Sequence, residues 1–317
     1  MLAPENNHDE EKREEKIMIE KITESLKSVG YVSNDKISSA VAIAEITGKP
    51  LLVEGFPGVG KTSLAKAYAD AKDYDFIRVQ LYDGLTDDKI LYDYDYQKQL
   101  LTLEAIRPQM ERDYGSLSAK EAISHIVNEL DFYGPDFLIR RPILRSITGD
   151  KRAVLLLDEI DKAPEEIEYM LYEFLENFSI TIPQYGIIEA KEEKRPVVFI
   201  TSNNYRDISE PFKRRCAYLY INKKTKEEIV EILKTKASIS DALSEGLAKC
   251  FLVINDAQLH KQPSISELVD FAVYLDRNPE RKKEFVINSL ALLTKDHRDE
   301  TVISKIVDEY GEELWNL

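Results

Sequence analysis

Cysteine and histidine are scarce in this chain, with two cysteines, Cys216 and Cys250, and four histidines among 317 residues. Two thiols cannot hold a small disulfide-bonded domain together, and neither belongs to a paired motif that ligates structural zinc. Uncharged apolar runs are also short, and none approaches the roughly 18 to 20 residues that a membrane-spanning helix needs. These absences argue against a disulfide scaffold, a zinc-organised fold and a membrane protein.

Basic residues are outnumbered, with 43 Lys and Arg against 58 Asp and Glu, which gives a formal net charge of −15. Nucleic-acid binding and attachment to anionic membranes both depend on clustered cations, so neither is expected. The segment Met1–Glu24 carries eight acidic and four basic residues and no apolar core, unlike a signal peptide. We therefore expect a cytoplasmic protein that binds neither membranes nor nucleic acid.

Short apolar runs alternate with helical periodicity between Asn34 and Asn222, which is typical of an α/β domain around a covered parallel sheet. Beyond Asn222 the β-branched runs stop and a period of 3.6 residues takes over. We expect an acidic N-terminal extension with a helix over 1–30, an α/β domain over 31–222 and a helical domain over 223–317. The predicted strands are Pro50–Glu54, Phe76–Leu81, Ala153–Leu157, Val197–Thr201 and Tyr218–Ile221. The clearest predicted helices are Glu11–Val29, Lys61–Ala71, Glu165–Asn177, Glu227–Lys236, Ser266–Leu275 and Glu284–Leu293.

Two insertions interrupt the α/β pattern. The first, Tyr82–Ile106, alternates aspartates with Tyr92, Tyr94 and Tyr96, which fits either a β-hairpin or a tyrosine-rich loop. The second, Ser179–Ala190, reads SITIPQYGIIEA. Its Pro and Gly bracket a turn between two β-prone runs, so a hairpin is predicted there.

A phosphate-binding loop is predicted at Gly55–Ser63, GFPGVGKTS, which matches the pattern G-x-x-x-x-G-K-[ST]. An apolar strand precedes it and a run of good helix formers follows, so the loop opens a helix. Backbone N–H groups at that helix N-terminus favour a phosphate group. We expect Lys61 to reach the β- and γ-phosphates and the Thr62 hydroxyl to bind Mg²⁺. The predicted nucleotide-binding residues are Gly55, Pro57, Gly58, Val59, Gly60, Lys61, Thr62 and Ser63.

A second buried strand, Ala153–Leu157, is followed directly by Asp158 and Glu159. Ligands of an open α/β sheet lie at the carboxyl ends of its strands, where these two acids are placed. We expect Asp158 to bind Mg²⁺ through water and Glu159 to polarise the attacking water. An Asp-Glu pair alone is more often a solvated turn, and it is the upstream phosphate-binding loop that favours the catalytic interpretation.

A third buried strand, Val197–Thr201, leads into the polar residues SNN. If it lies beside the Asp158 strand, its tip holds an asparagine near the γ-phosphate and the attacking water. Asn203 is the first candidate and Asn204 the second; the alternative is an asparagine cap before the next turn. Asn222–Thr225, NKKT, lacks the Asp of the guanine-binding motif N-K-x-D, so adenine is the expected base.

A basic turn, PFKRRC at Pro211–Cys216, comes just before the fifth strand. In a monomer it is an ordinary solvated turn. In a ring of subunits the same position faces the neighbour's nucleotide, where an arginine neutralises charge on the γ-phosphoryl group. Arg215 is the first candidate for this catalytic role and Arg214 the second.

The phosphate-binding loop, the strand that ends in Asp158 and Glu159, the strand that ends in asparagines and the basic turn come in the order and spacing of AAA+ ATPases. The chain resembles these ATPases over about Tyr31–Leu275. Within that group it resembles the MoxR branch. Val41–Thr62 is similar to that branch's entry into its phosphate loop, and Leu81–Leu101 is similar to a MoxR subgroup encoded beside von Willebrand A domain proteins. The resemblance implies an AAA+ P-loop core of strand order 5-1-4-3-2 flanked by helices, a helical lid and a hexameric ring. It also implies ATP hydrolysis with ATP and Mg²⁺ as cofactors, and chaperone-like remodelling or maturation of a client complex with a von Willebrand A domain partner.

One position departs from that family. An arginine at the start of a lid helix usually touches the γ-phosphate, whereas Lys261–Glu267 reads KQPSISE and places Ser266 there. Either another cation, Lys261 or Arg277, substitutes for it, or lid closure is coupled more weakly to the nucleotide.

Two alternative functions belong to other classes. A DNA-associated AAA+ motor shares the hairpin and the insertion, but such hairpins need basic tips, and this turn is PQYG with a neutral KEEK flank. A nucleotide-gated scaffold that does not hydrolyse ATP is disfavoured by the intact Glu159 and Arg215.

The first insertion is the expected docking surface for a partner, because tyrosines are favoured at interfaces. Asp93 and Asp95 lie among its tyrosines. Either of them is a candidate ligand for the metal site of a von Willebrand A domain; the alternative is two solvated loop carboxylates.

Overall fold

The computed structural model describes residues 6–114, 118, 120–121, 125 and 131–315. The strands are β1 Leu51–Gly55, β2 Asp75–Gln80, β3 Tyr92–Tyr94, β4 Leu138–Arg140, β5 Ala153–Asp158, β6 Ser179–Ile182, β7 Gly186–Glu189, β8 Val197–Ser202 and β9 Ala217–Ile221. The α-helices are α1 Asn6–Ser28, α2 Asp35–Thr47, α3 Lys61–Lys72, α4 Asp87–Ile90, α5 Tyr96–Tyr114, α6 Pro142–Thr148, α7 Glu165–Asn177, α8 Glu210–Arg215, α9 Lys226–Ala237, α10 Asp241–Asp256, α11 Ile265–Asp276, α12 Lys283–Asn288 and α13 Glu300–Tyr310. Short 3₁₀ turns lie at Ile160–Lys162, Glu192–Lys194, Leu290–Leu292 and Glu312–Leu314.

Five strands form one parallel sheet in the order β2-β5-β8-β1-β9. Counted along the chain these are strands 2-3-4-1-5 of the sheet, which confirms the predicted order 5-1-4-3-2. Every residue of β1, β5 and β8 is buried, because helices cover both faces of the sheet. Their carboxyl ends lie side by side and place three loops next to one another.

Two apolar cores cover the two faces of this sheet. One contains residues of α6, α7 and the β6–β7 pair, and the other contains residues of α1, α2 and α3. Ile22 and Leu26 of α1 are buried in the second core, so the N-terminal helix packs on the α/β unit. A third core joins helices α9 to α13. Within the described part of the chain, no helix is long and apolar enough to cross a membrane.

Neither interpretation of the first insertion is right. Tyr92–Tyr94 does form a strand, but β3 pairs antiparallel with β4 on the far side of α5 and not with a neighbouring segment. The chain turns helical at Tyr96, where the Asp95 carboxylate accepts the backbone N–H of Lys98 at 2.9 Å and caps the helix. A period of two residues detects the strand, but it carries no information about a partner distant in sequence.

The second insertion forms the predicted hairpin, with β6 and β7 paired antiparallel from Ser179 opposite Glu189 to Ile182 opposite Gly186. The predicted helix Glu284–Leu293 is wrong at its end, because α12 stops at Asn288 and a 3₁₀ turn follows. The Ser289 hydroxyl bonds to the Phe285 carbonyl at 2.7 Å, which competes with continuation of the helix.

Candidate functional site

The loop between β1 and α3 wraps around the start of the helix in left-handed turns. Gly58 has φ +78° and Gly60 φ +99°, values that side chains rarely adopt. A Cβ on Gly58 would also lie 2.7 Å from the Cβ of Ser264, so the segment before α11 packs directly on the loop. Ser264 is held there by a capping box with Glu267. The phosphate-binding loop and the segment that leads into α11 are therefore in direct contact at Gly58 and Ser264.

Lys61 is the buried cation of this loop, with 6% of its surface exposed. Its Nζ donates to the carbonyls of Gly55 at 2.7 Å and Phe56 at 2.9 Å, and to Asn203 Oδ1 at 2.7 Å. Burial lowers the pKa of its ammonium to about 8, while nearby carboxylates, Asp161 foremost, act to raise it. A buried ammonium next to an anion-binding helix terminus suits a phosphate ligand.

Asp158 ends β5 and is surrounded by donors. Its Oδ1 accepts the hydroxyls of Thr62 at 3.0 Å and Thr201 at 2.5 Å. Its Oδ2 accepts a hydrogen bond from Nε of Arg78, in β2, at 2.9 Å, and Nη2 of the same guanidinium lies 2.6 Å from that oxygen as an ion pair. The sequence-predicted pair Thr62 and Asp158 is therefore in direct contact, and Arg78 and Thr201 join it without having been predicted.

Glu159 lies just past the end of β5 with φ +62°, a strained conformation for a residue with a side chain. One carboxylate oxygen accepts Asn203 Nδ2 at 3.1 Å, and the other accepts Gln80 Nε2 at 2.5 Å and Lys162 Nζ at 2.8 Å. Its backbone N–H donates to Thr201 Oγ1 at 2.9 Å. These contacts turn the carboxylate toward the loop that carries Lys61.

Asn203 bridges the two halves of the site, because its amide oxygen accepts Lys61 and its amide nitrogen donates to Glu159. A buried carboxylate, Asp161, fixes this turn by accepting the backbone N–H groups of Asn203 and Tyr205, both at 2.9 Å. Asn204, the second candidate, does not contact Lys61 or Glu159 among the hydrogen bonds described. With its side-chain amide oriented so that Nδ2 faces Glu54, it donates to both carboxylate oxygens of that residue, at 3.0 and 3.2 Å.

Two adjoining cavities meet at this site. The smaller, of about 270 Å³, has polar walls from all three loops. The larger, of about 610 Å³, lies between the loop and the helical region and includes the apolar side chains of Phe56, Val59 and Phe251. Pro57, Gly58 and Ser264 line both. Of the predicted nucleotide-binding, metal-binding and catalytic residues, those that line the smaller cavity are Pro57, Gly58, Gly60, Lys61, Thr62, Ser63, Asp158, Glu159 and Asn203.

The segment predicted as a basic turn is the short helix α8, Glu210–Arg215, and its arginines line neither cavity of their own chain. Arg215 donates to the Pro211 carbonyl at 2.9 Å, lies 3.4 Å from Glu176, and stacks on Tyr172 with its guanidinium carbon 4.5 Å from the ring centroid. Arg214 is exposed. Within one chain, neither arginine joins the residues around Lys61.

The position expected to hold the lid arginine lies at the site. Ser266 lines the smaller cavity and Lys261 the larger one. Arg277 follows the opposite end of α11 and lines neither. Of the two substitute cations, only Lys261 is therefore near the loop.

The donor set fits Mg²⁺ introduced with a nucleotide. Mg²⁺ is usually bound by one or two carboxylates, waters and substrate phosphates, all oxygen ligands. Thr62 and Asp158 provide a hydroxyl and a carboxylate in contact with each other. In the residues that the structure describes, no group of three or more His, Cys, Asp or Glu side chains is arranged to hold a metal.

Sequence reasoning missed Arg78, Gln80, Thr201 and Asp161. A signal exists for the first two, since Arg78 and Gln80 alternate with the buried Ile77 and Val79 along β2 and so share a face. Thr201 and Asp161 show no pattern of their own in the sequence, because their importance comes from contacts across strands.

A family model described as "AAA domain (dynein-related subfamily)" matches residues 50–216. The Lon protease of Mycoplasmopsis agalactiae is 27% identical over 66% of this chain and 18% of its own, and that of Cytophaga hutchinsonii is 27% identical over 76% and 26%. The chain thus spans between about a fifth and a quarter of these relatives' length. Among solved structures, the Thermotoga maritima RuvB Holliday junction branch migration motor aligns at 19% identity and a TM-score of 0.41, over 87% of this chain and 75% of that one.

Proposed function

This chain belongs to the AAA domain family, in its dynein-related subfamily, and from that premise we propose that it binds ATP with Mg²⁺ and hydrolyses it. The observation that carries the proposal is the chain of contacts from Lys61 through Asn203 to Glu159, beside the Thr62–Asp158 pair. A loop that only bound phosphate would need neither the carboxylate nor its bridge. The adjoining cavity, with its partly apolar wall, is large enough for a nucleoside.

Each residue has a chemical task in this proposal. Lys61 and the backbone N–H groups at the start of α3 bind the phosphates. Asp158 and Thr62 hold Mg²⁺, which when bound neutralises charge on the phosphate oxygens. Glu159 accepts a proton from the attacking water, and Asn203 orients both that carboxylate and the Lys61 ammonium. Ser264 and Ser266 close the site from the helical side.

The proposal extends to a ring, because members of this family typically assemble into oligomeric rings. A single chain leaves its cavity without an arginine from the basic turn. In a hexamer, Arg215 of one subunit, or Arg214, would complete the neighbour's site. The Arg215 side chain is 33% exposed, and to reach that site it has to leave the Pro211 carbonyl, Glu176 and the Tyr172 ring.

We further propose that the ring is a MoxR-type chaperone that remodels or matures a client complex with a von Willebrand A domain partner. The resemblance of the first insertion supports this proposal. Its aspartates have local tasks: Asp93 pairs with Arg141 at 3.0 Å and Asp95 caps α5. Asp93 is the better candidate to bind a partner, since a partly exposed ion pair is more easily exchanged than a helix cap. Capture of the partner by the parent and by Asp93→Ala, with ATP turnover measured alongside, tests this step; equal capture would remove Asp93 from the interface.

Two substitutions test the ATPase proposal. Lys61→Ala should abolish nucleotide binding in calorimetry, because it removes a direct phosphate contact. Glu159→Gln should bind ATP like the parent but release phosphate at least 100-fold more slowly, since an amide cannot accept the proton. Lys66→Ala, one turn further along α3, and Glu166→Gln are matched exposed controls and should behave like the parent.

The outcomes separate the candidate functions. Full turnover by Glu159→Gln would refute the role of that residue. A parent protein that binds ATP and never releases phosphate would indicate a nucleotide-gated scaffold. Turnover stimulated by DNA would indicate a motor, although the turn of the β6–β7 hairpin, Pro183–Gln184–Tyr185, has no basic side chain.

A further inference from the structure

We propose that Arg78 is an internal counter-ion for Asp158 and releases it when a nucleotide enters with Mg²⁺. This inference rests on the proposed function, because it concerns the same carboxylate. It adds a residue of β2 that neither the sequence patterns nor the phosphate-binding loop assigns to metal binding. Arg78 is thereby a positioning residue that acts through Asp158.

The geometry of the ion pair is unusual in its use of one oxygen. Arg78 places both Nε, at 2.9 Å, and Nη2, at 2.6 Å, on Oδ2 of Asp158. The other oxygen, Oδ1, is occupied by the hydroxyls of Thr62 and Thr201. Arg78 therefore binds Oδ2, the oxygen of Asp158 that Thr201 does not contact and that Thr62 reaches only at 3.3 Å.

Both oxygens of Asp158 lie near the hydroxyl that would hold the metal, with Thr62 Oγ1 3.0 Å from Oδ1 and 3.3 Å from Oδ2. Thr201 also donates to Oδ1, so Oδ2 is the oxygen whose main partner, the guanidinium of Arg78, could be exchanged. A cation held by Thr62 and Asp158 would therefore compete with Arg78 for one carboxylate.

Burial explains why a counter-ion is needed at all. The Asp158 side chain is 3% exposed, and a buried carboxylate without a cation is strongly destabilising. Arg78 supplies the positive charge, and Gln80 Oε1 accepts its Nη2 at 2.6 Å and steadies it. The Arg78 side chain is 48% exposed and lines the smaller cavity, so it has room to swing into water. One partner is buried and the other is half exposed, which suits an exchangeable contact.

The competition can be measured as a ratio, the dissociation constant for ADP in EDTA divided by that in excess Mg²⁺. This ratio rises when Mg²⁺ contributes more to ADP binding. In Arg78→Ala the metal no longer displaces a guanidinium, so this ratio should rise about tenfold over the parent's. Arg78→Lys keeps the charge and should stay near the parent. Arg298→Ala also removes one positive charge, but from an exposed pair with Asp296, and should leave the ratio unchanged. Calorimetry reads the ratio without any turnover.

A second measurement uses the unaltered protein and decides the matter even if a variant fails to fold. In crystals of the parent with ADP alone, Arg78 Nη2 should stay within hydrogen-bond distance of Asp158 Oδ2, and with ADP and Mg²⁺ it should leave. An intact ion pair in the Mg²⁺ complex, or an unchanged ratio in Arg78→Ala, would overturn the inference and leave the proposed function standing. A parent protein that binds ADP in neither condition would refute the proposed function and this inference with it.

Discussion

Asp161 offers a direct test of how the catalytic turn is held. The residue is 4% exposed, and a single oxygen, Oδ2, accepts the backbone N–H groups of Asn203 and Tyr205 at 2.9 Å each. The other oxygen, Oδ1, is buried and has no hydrogen-bond partner among the residues that the structure describes. Within that part of the chain, the carboxylate therefore bonds only to the turn that places Asn203 between Lys61 and Glu159.

The magnitude follows from those two bonds. A hydrogen bond to a charged group contributes about 1.5 to 3 kcal/mol, so Asp161→Ala loses roughly 3 to 6 kcal/mol of interaction. Relief of burying a carboxylate offsets part of this loss, so we expect the free energy of unfolding to fall by about 3 kcal/mol. Asp161→Asn keeps an acceptor oxygen with two lone pairs and should cost about 1 kcal/mol.

Turnover should fall together with stability in this pair of variants. Without the two bonds, the turn no longer holds the Asn203 amide on Glu159, and we expect phosphate release to slow by roughly 100-fold in Asp161→Ala. Asp161→Asn should retain most of its activity. Urea unfolding and a phosphate-release assay at a temperature where both variants are folded measure the two effects. Equal behaviour of the Ala and Asn variants, or an Ala variant as stable as the parent, would refute this account of the turn.

Three further results are expected. Nucleotide affinity should decline above pH 8, by up to tenfold per pH unit, because the pKa of Lys61 is about 8 in the free protein and phosphate binds its protonated form; calorimetry should detect proton uptake at pH 9, and a flat profile would contradict this. Gly58→Ala should weaken ADP binding about tenfold by pushing the loop off Ser264, whereas Gly84→Ala, also at φ +78° but with no described atom within 4 Å of the added Cβ, controls for backbone strain alone. Arg215→Ala should bind ATP, hydrolyse it poorly and recover activity when mixed with Lys61→Ala subunits; no recovery in rings that exchange subunits would count against a shared site.

Local sequence was sufficient to predict a functional residue wherever the pattern that identifies it lies within one loop or strand. The glycines, Lys61 and Thr62 are contiguous, and the apolar run before Asp158 marks a strand buried on both faces. The strand order followed from a family resemblance and was confirmed by the sheet. The first insertion was predicted wrongly because β3 pairs with a strand beyond α5, and pairing distant in sequence leaves no local period.

The amino-acid sequence by itself determined the α/β fold, the phosphate-binding loop and the acids at the end of β5, because each depends on apolar periodicity or on neighbours along the chain. Only the tertiary structure decided that Asn203 and not Asn204 bridges Lys61 to Glu159, and that Arg78 forms an ion pair with Asp158. Side chains at strand ends meet according to strand register and backbone turns, and a shift of one residue points a side chain to the opposite face of the sheet. Contacts between strands are therefore a property of the packed sheet, which no single segment of the sequence encodes.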